Sequence, residues 1–216
     1  MIGWVRATLL FALMTSDIAQ AAEIRVLSDG KREGSPVPAI ILIKGLLKHG
    51  DDVTFRQMIG ITTSAIVFLE SPGGVIGPAM DIGLAIKGKG FESAVADGAT
   101  CTSACALAWL GGSPRRMGEG AHVGFHATLS ARDDAAETAA GNALVGFYLH
   151  QLGFSSSAVI FVMKATPQSM TYLTERDALS SGIHFNALTR AQAERYRDAL
   201  VPLRSTFAIT LPDRAL

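Results

Sequence analysis

The sequence predicts an α/β protein, a sheet of short strands with helices packed around it. Three observations point there. From residue 39 onward, short aliphatic runs alternate with stretches of helical period. Hydrophobic residues make up 49% of the chain, too many for a disordered one, and two cysteines are too few for a disulfide framework. The 22 glycines suit tight strand-to-helix turns. At 216 residues a single domain with one full core is expected.

The chain opens with a basic region, MIGWVR, followed by apolar ATLLFALM and small residues ending in Ala19-Gln20-Ala21. That order predicts a secretory signal over 1–21, cleaved after Ala21. The run from Ala7 to Met14 is about half the length a spanning helix needs, so no stable membrane span is expected after its removal. A periplasmic or secreted product in an oxidising compartment follows. Residues 22–38, polar with Gly and Pro, read as an N-terminal arm.

The main domain is expected over 39–187. AIILI (39–43) and AIVFLE (65–70) read as buried strands flanking a short helix in VTFRQMIGI (53–61). A helix is expected from about Ile76 to Lys87, then a strand in ESAVA (92–96). In ATCTSACALAWLGG (99–112) an extended run gives way at Ser103 to an apolar helix that Gly111-Gly112 would end. AHVGFHA (121–127) alternates as a strand, with His122, Gly124 and His126 on one face and Val123 and Phe125 on the other. Helices are expected from Ala135 to Leu152 and from Ser157 to Lys164. Thr174 with Asp177 reads as the N-cap pair of a short helix stopped by Gly182. An amphipathic helix over 189–200 and a tail complete the C-terminal segment, 188–216.

Nineteen basic and nineteen acidic residues leave no net field, which argues against a nucleic-acid or anionic-membrane partner. The chemistry must come from local groups. Gly73-Gly74, after Pro72, would turn the backbone at a helix N-terminus with exposed N–H groups, fit for an oxyanion or a phosphate, or form a plain tight turn. No Lys-Ser or Lys-Thr follows at the offset of a phosphate-binding loop, so a nucleotide is not expected. Ser103 would either cap its helix or be presented as a nucleophile beside the N–H of Ala104. His126 comes far enough on to return alongside as a base. Cys101 and Cys105 pair with each other, stay free as small buried residues, or bind a ligand. They lack His partners at zinc-type spacing, so no metal is expected, and no cofactor.

In order, ESPGG, GATCTSACALAWLGG, RRMGEGAHVGFHA and MTYLTERDALSSGI resemble the proteolytic subunit of Clp protease and the wider Clp-protease and crotonase-like fold, over about 39–187. The resemblance implies that Gly73, Gly74 and Ala104 supply oxyanion amides, that Ser103 is the nucleophile and that His126 is its base. The substrate it implies is a peptide or protein. Clp subunits build rings through the region of the 135–152 helix, where Phe147, Tyr148 and Leu152 read as an interface or core face, so homo-oligomers are one reading.

The sequence also departs from the family. Aligning TYLT (171–174) without gaps puts Met170 where the family's triad aspartate stands, and Glu175 and Asp177 fall on the next helix. An aspartate holds the tautomer of the histidine and stabilises the imidazolium, so its loss predicts weak hydrolysis. A serine–lysine dyad would need Lys164, the one lysine after Ser103, which reads as a surface residue. Crotonases hold acyl-CoA thioesters, but an export signal argues against coenzyme A. Two functions remain: an exported, ATP-independent serine hydrolase, or a catalytically inactive binding protein of the same fold.

Overall fold

The computed structural model describes residues 21–31, 36–128 and 138–207. Residues 1–20 of the expected signal segment and 135–137 of the helix expected from Ala135 lie outside these residues. In chain order the elements are β1 (Glu23–Ser28), β2 (Ala39–Lys44), α1 (Asp51–Met58), β3 (Ala65–Glu70), α2 (Ile76–Lys89), β4 (Glu92–Val95), β5 (Thr100–Thr102) and α3 (Ala104–Leu110). They continue as β6 (Arg115–Met117), β7 (His122–Phe125), α4 (Ala139–Gln151), α5 (Ser156–Val162), β8 (Thr171–Tyr172), α6 (Glu175–Ser181), β9 (Asn186–Ala187) and α7 (Arg190–Phe207).

A six-stranded sheet runs in the order β1-β2-β3-β4-β6-β9, and a three-stranded sheet in the order β5-β7-β8. β2, β3, β4, β6 and β9 are parallel, as helical crossovers between consecutive strands require. β2 and β3 are covered on both faces, which is why AIILI and AIVFL are unbroken apolar runs. Ile41, Ile43, Val67 and Leu69 face the main core with α2 and α3. Ile40, Leu42, Ile66 and Phe68 face the other side, where Tyr196 of α7 stacks on Phe68 with ring centroids 4.0 Å apart.

The stretch read as a polar arm contributes a strand instead: β1 pairs antiparallel with β2, and Ile24 turns into the core while Glu23 and Arg25 stay exposed. The strand expected over 121–127 ends at Phe125, because Ala127 N–H leaves the sheet to donate to Ala165 O (2.9 Å). β6, β8 and β9 went unread; two or three residues are too few to show a period. The expected capping box of α6 is present, with Thr174 Oγ1 accepting from Asp177 N–H.

Two glycines let the helices behind the site approach closely. A Cβ on Gly111 would lie 2.1 Å from Gly83 O, and one on Gly83 would lie 1.9 Å from the Tyr148 hydroxyl. Of the α4 residues singled out, Tyr148 is buried, Leu152 partly so, and Phe147 is exposed. Tyr148 Oη donates to Leu107 O of α3 (2.7 Å), and burial pushes its pKa well above the usual tyrosine value, with Arg115 opposing. The phenol is thus a neutral donor fastening α4 to the helix that follows Ser103. Tyr148→Phe is expected to lower stability by about 1 kcal/mol through the orphaned Leu107 carbonyl. Urea unfolding checks this; an unchanged midpoint would show that the bond adds nothing.

Candidate functional site

The site forms where the two sheets meet. Beyond β3, Ser71 N–H donates to Thr100 O (2.9 Å) and Thr102 N–H donates to Ser71 O (3.0 Å), which stitches the end of the large sheet to β5. The chain then turns through Pro72, Gly73 and Gly74. Both glycines have left-handed φ, 115° and 134°, where an L side chain is strained. A Cβ on Gly74 would lie 2.1 Å from Leu47 O, and one on Gly73 would lie 2.7 Å from Ser103 Cβ. The turn therefore needs glycine at both positions, once for the loop below and once for the serine above.

The two turn amides differ. Gly73 N–H donates to Ser71 Oγ (3.0 Å), whereas the resemblance would aim it, with Gly74, at an oxyanion. Gly74 is bridged to Leu47 through its neighbours only, by Leu47 N–H on Gly73 O (2.8 Å) and Val75 N–H on Leu47 O (2.9 Å). Its own N–H takes no part in that bridge. Ala104 is the first residue of α3, so its N–H has no intrahelical acceptor.

Ser103 sits between β5 and α3 at φ 56°, ψ −126°, and among the described residues it alone of the non-glycines has positive φ. Such a conformation costs about 1–3 kcal/mol and persists only when the surroundings hold it. Here Ser103 N–H donates to Gly124 O of β7 (2.9 Å), and Ser103 O accepts from Ala106 N–H of α3 (3.0 Å). The hydroxyl makes no cap hydrogen bond, so the helix-capping alternative is not taken up. Cys101 and Cys105 are fully buried, with their sulfurs at disulfide distance, 2.00 Å, and their Cα atoms 5.2 Å apart. They tie β5 to the first turn of α3 on either side of Ser103.

His126 stands just past the end of β7, half-buried, with Nδ1 2.6 Å from Ala127 O. A carbonyl oxygen only accepts, so Nδ1 carries a hydrogen, and in the neutral ring the lone pair then falls on Nε2. Among the described residues no carboxylate pairs with the ring and no hydrogen bond joins it to Ser103. Met170, which the resemblance aligns with the family's triad aspartate, lies over the same strand: a Cβ on Gly124 would meet its Cγ at 2.8 Å and its Sδ at 2.9 Å. Asp177 is held in the α6 capping box, and Glu175 is exposed in the same turn. His122 is exposed at the strand's start, edge-on to Tyr172 at 5.6 Å. Lys164 is exposed and takes no part in the wall described next.

Gly74, Ser103, Ala104, His126 and Thr128 share the wall of one cavity of about 80 Å³, closed by Ile76, Leu107, Val145 and Val162. Gly73, though close to Ser103, is not part of this wall. Larger concavities, about 890 Å³ between α6 and α7 and about 1030 Å³ beside β1, set no serine beside a histidine. Sequence reasoning missed Thr128 and Asn142, which hydrogen-bond beside His126; polar residues in unlike elements carry no shared period that would flag them.

No family profile matches the chain, and no curated protein matches it. Among solved structures it is similar to a serine-to-alanine mutant of the 1510-N membrane-bound stomatin-specific protease, at 20% identity and a TM-score of 0.54, over 72% of this chain and 81% of that one. A lysine-to-alanine mutant of that protease in complex with a substrate peptide aligns at 20% identity and a TM-score of 0.53, over 69% of this chain and 73% of that one. The chain thus has the fold of that protease, the Clp-protease and crotonase-like α/β architecture that its ordered motifs predict.

Proposed function

We propose that the protein is an exported serine peptidase that works without ATP. The observation that carries this reading is the shared cavity wall: a serine held in a strained turn, two backbone amides outside the local hydrogen bonding, and a histidine whose Nε2 lone pair is available. In this reading His126 Nε2 takes the Ser103 hydroxyl proton as Oγ attacks the peptide carbonyl. Gly74 and Ala104 N–H groups receive the oxyanion. His126 then returns the proton to the leaving amine, and water releases the acyl group by the same route. Ser103 and His126 are not hydrogen-bonded at rest, so this reading requires substrate binding to bring them together.

The apolar liners and small volume of the cavity suit a small apolar side chain beside the scissile bond. The peptide bound to the similar protease supports a peptide substrate. Export is supported by the N-terminal pattern and the paired cysteines, and among the described residues no helix is long and apolar enough to cross a membrane. Exposed Leu144 and Phe147 on α4 support self-association.

A fluorophosphonate is expected to label the wild type and not Ser103→Ala. Peptides with alanine or valine before the scissile bond are expected to turn over faster than those with phenylalanine. Met170 supports a second reading, a peptide-binding protein without turnover. A wild type left unlabelled under both oxidising and reducing conditions would establish that reading and end the first.

A further inference from the structure

We infer that Asn142 is a positioning residue that takes over the orienting half of the missing acid's work, through a backbone peptide. The inference rests on the hydrolase reading for its role and on the following contacts for its geometry.

His126 Nδ1–H donates to Ala127 O (2.6 Å). That carbonyl belongs to the Ala127–Thr128 peptide, whose other end is the Thr128 N–H. Because the peptide is planar, fixing the N–H fixes the carbonyl direction. Thr128 N–H donates to Asn142 Oδ1 (2.9 Å), and Thr128 Oγ1–H donates to the same oxygen (2.8 Å). Thr128 is 5% exposed and Asn142 is half-buried, so these bonds are partly shielded from bulk water. The order is therefore Asn142 carboxamide oxygen, Thr128 amide, Ala127 carbonyl and His126 Nδ1–H, in a ring that lines the same cavity as Ser103.

Neighbouring bonds hold each end. Ala127 N–H donates to Ala165 O (2.9 Å), Thr138 N–H donates to Thr128 O (3.2 Å), and Asn142 N–H donates to Thr138 O within the first turn of α4 (3.0 Å). The Thr128 N–H, which can only donate, settles which way the carboxamide points, since its NH₂ group could not accept it. An acceptor on the amide hydrogen polarises the peptide and strengthens its carbonyl as an acceptor.

A triad aspartate does two things, holding the tautomer and lending negative charge to the imidazolium. This chain of dipoles supplies the first and only a fraction of the second. It accounts for how Met170 can occupy the acid's place while Nε2 still carries its lone pair.

The test uses the full chain labelled with ¹⁵N-histidine, taking His126 as the signal lost in His126→Gln. The expected spectrum is Nδ1–H with unprotonated Nε2 and slow exchange of the Nδ1 proton. Asn142→Leu is expected to speed that exchange and to slow fluorophosphonate labelling of Ser103 about tenfold by misplacing the ring. Asn142→Asp keeps an acceptor oxygen for both Thr128 donors and is expected to recover both readouts. An Nε2–H tautomer in the wild type would overturn the inference without any variant. So would unchanged exchange in a folded Asn142→Leu protein. Should the NMR pattern hold while no form is labelled, Asn142 orients His126 as inferred and the hydrolase reading is what fails.

Discussion

Gly73→Ala is expected to slow reaction of Ser103 with a fluorophosphonate by about 10²-fold or more, the scale on which small misplacements act. The new methyl would stand 2.7 Å from Ser103 Cβ, 2.9 Å from Thr102 O and 3.1 Å from Ala104 N–H nitrogen, so something must move. The glycine turn is held from below by Leu47 N–H on Gly73 O, and Thr102 is held by Ser71 O and by its own hydroxyl on Pro72 O (3.1 Å). Any shift that relieves the contact is passed to the strained peptide at Ser103, which in the hydrolase reading presents the nucleophile and the Ala104 amide. Strain at φ 115° adds a loss of stability of about 1–3 kcal/mol, readable in urea. A folded Gly73→Ala protein that labels at the wild-type rate would show that this contact does not set the serine.

His126→Ala is expected to lower peptide turnover by about 10²–10⁴-fold, the usual contribution of a general base, while leaving the Ser103 turn in place. The turn is held by backbone bonds to Gly124 O and Ala106 N–H, none of which involves the imidazole. The deletion enlarges the cavity beside the hydroxyl, so added imidazole is expected to restore part of the rate. Turnover that survives the substitution at the wild-type level would place the base elsewhere. Urea midpoints of the two proteins separate loss of chemistry from loss of fold.

Much of the fold was legible because it rests on local rules. AIILI and AIVFL are buried on both faces and so read as unbroken apolar runs. Thr174 and Asp177 announce α6 through a capping box that spans three residues. β1 was obscured by flanking Gly, Pro and charge, since an edge strand with only Ile24 in the core shows almost no alternation. The site was legible as an order of motifs, with Gly74, Ser103, Ala104 and His126 on one wall. It was not legible as geometry: nothing local distinguishes Gly73, whose N–H is bound to Ser71 Oγ, from Gly74, whose N–H is not.

By itself, the sequence determined the alternation of strands and helices, the Pro-Gly-Gly turn, the serine at the head of an apolar helix and the later histidine strand. Each depends on chain stiffness, turn chemistry or apolar period, forces that act within a few residues. Tertiary structure alone decided which glycine amide is bound to Ser71 Oγ, that the Ser103 backbone is held left-handed, and that Ala127 O meets the His126 ring. Those outcomes depend on contacts between segments far apart in the chain, such as Ser103 with Gly124 and Ala127 with Ala165. Such contacts form only after the core has packed, and no spacing of residue types encodes them beforehand.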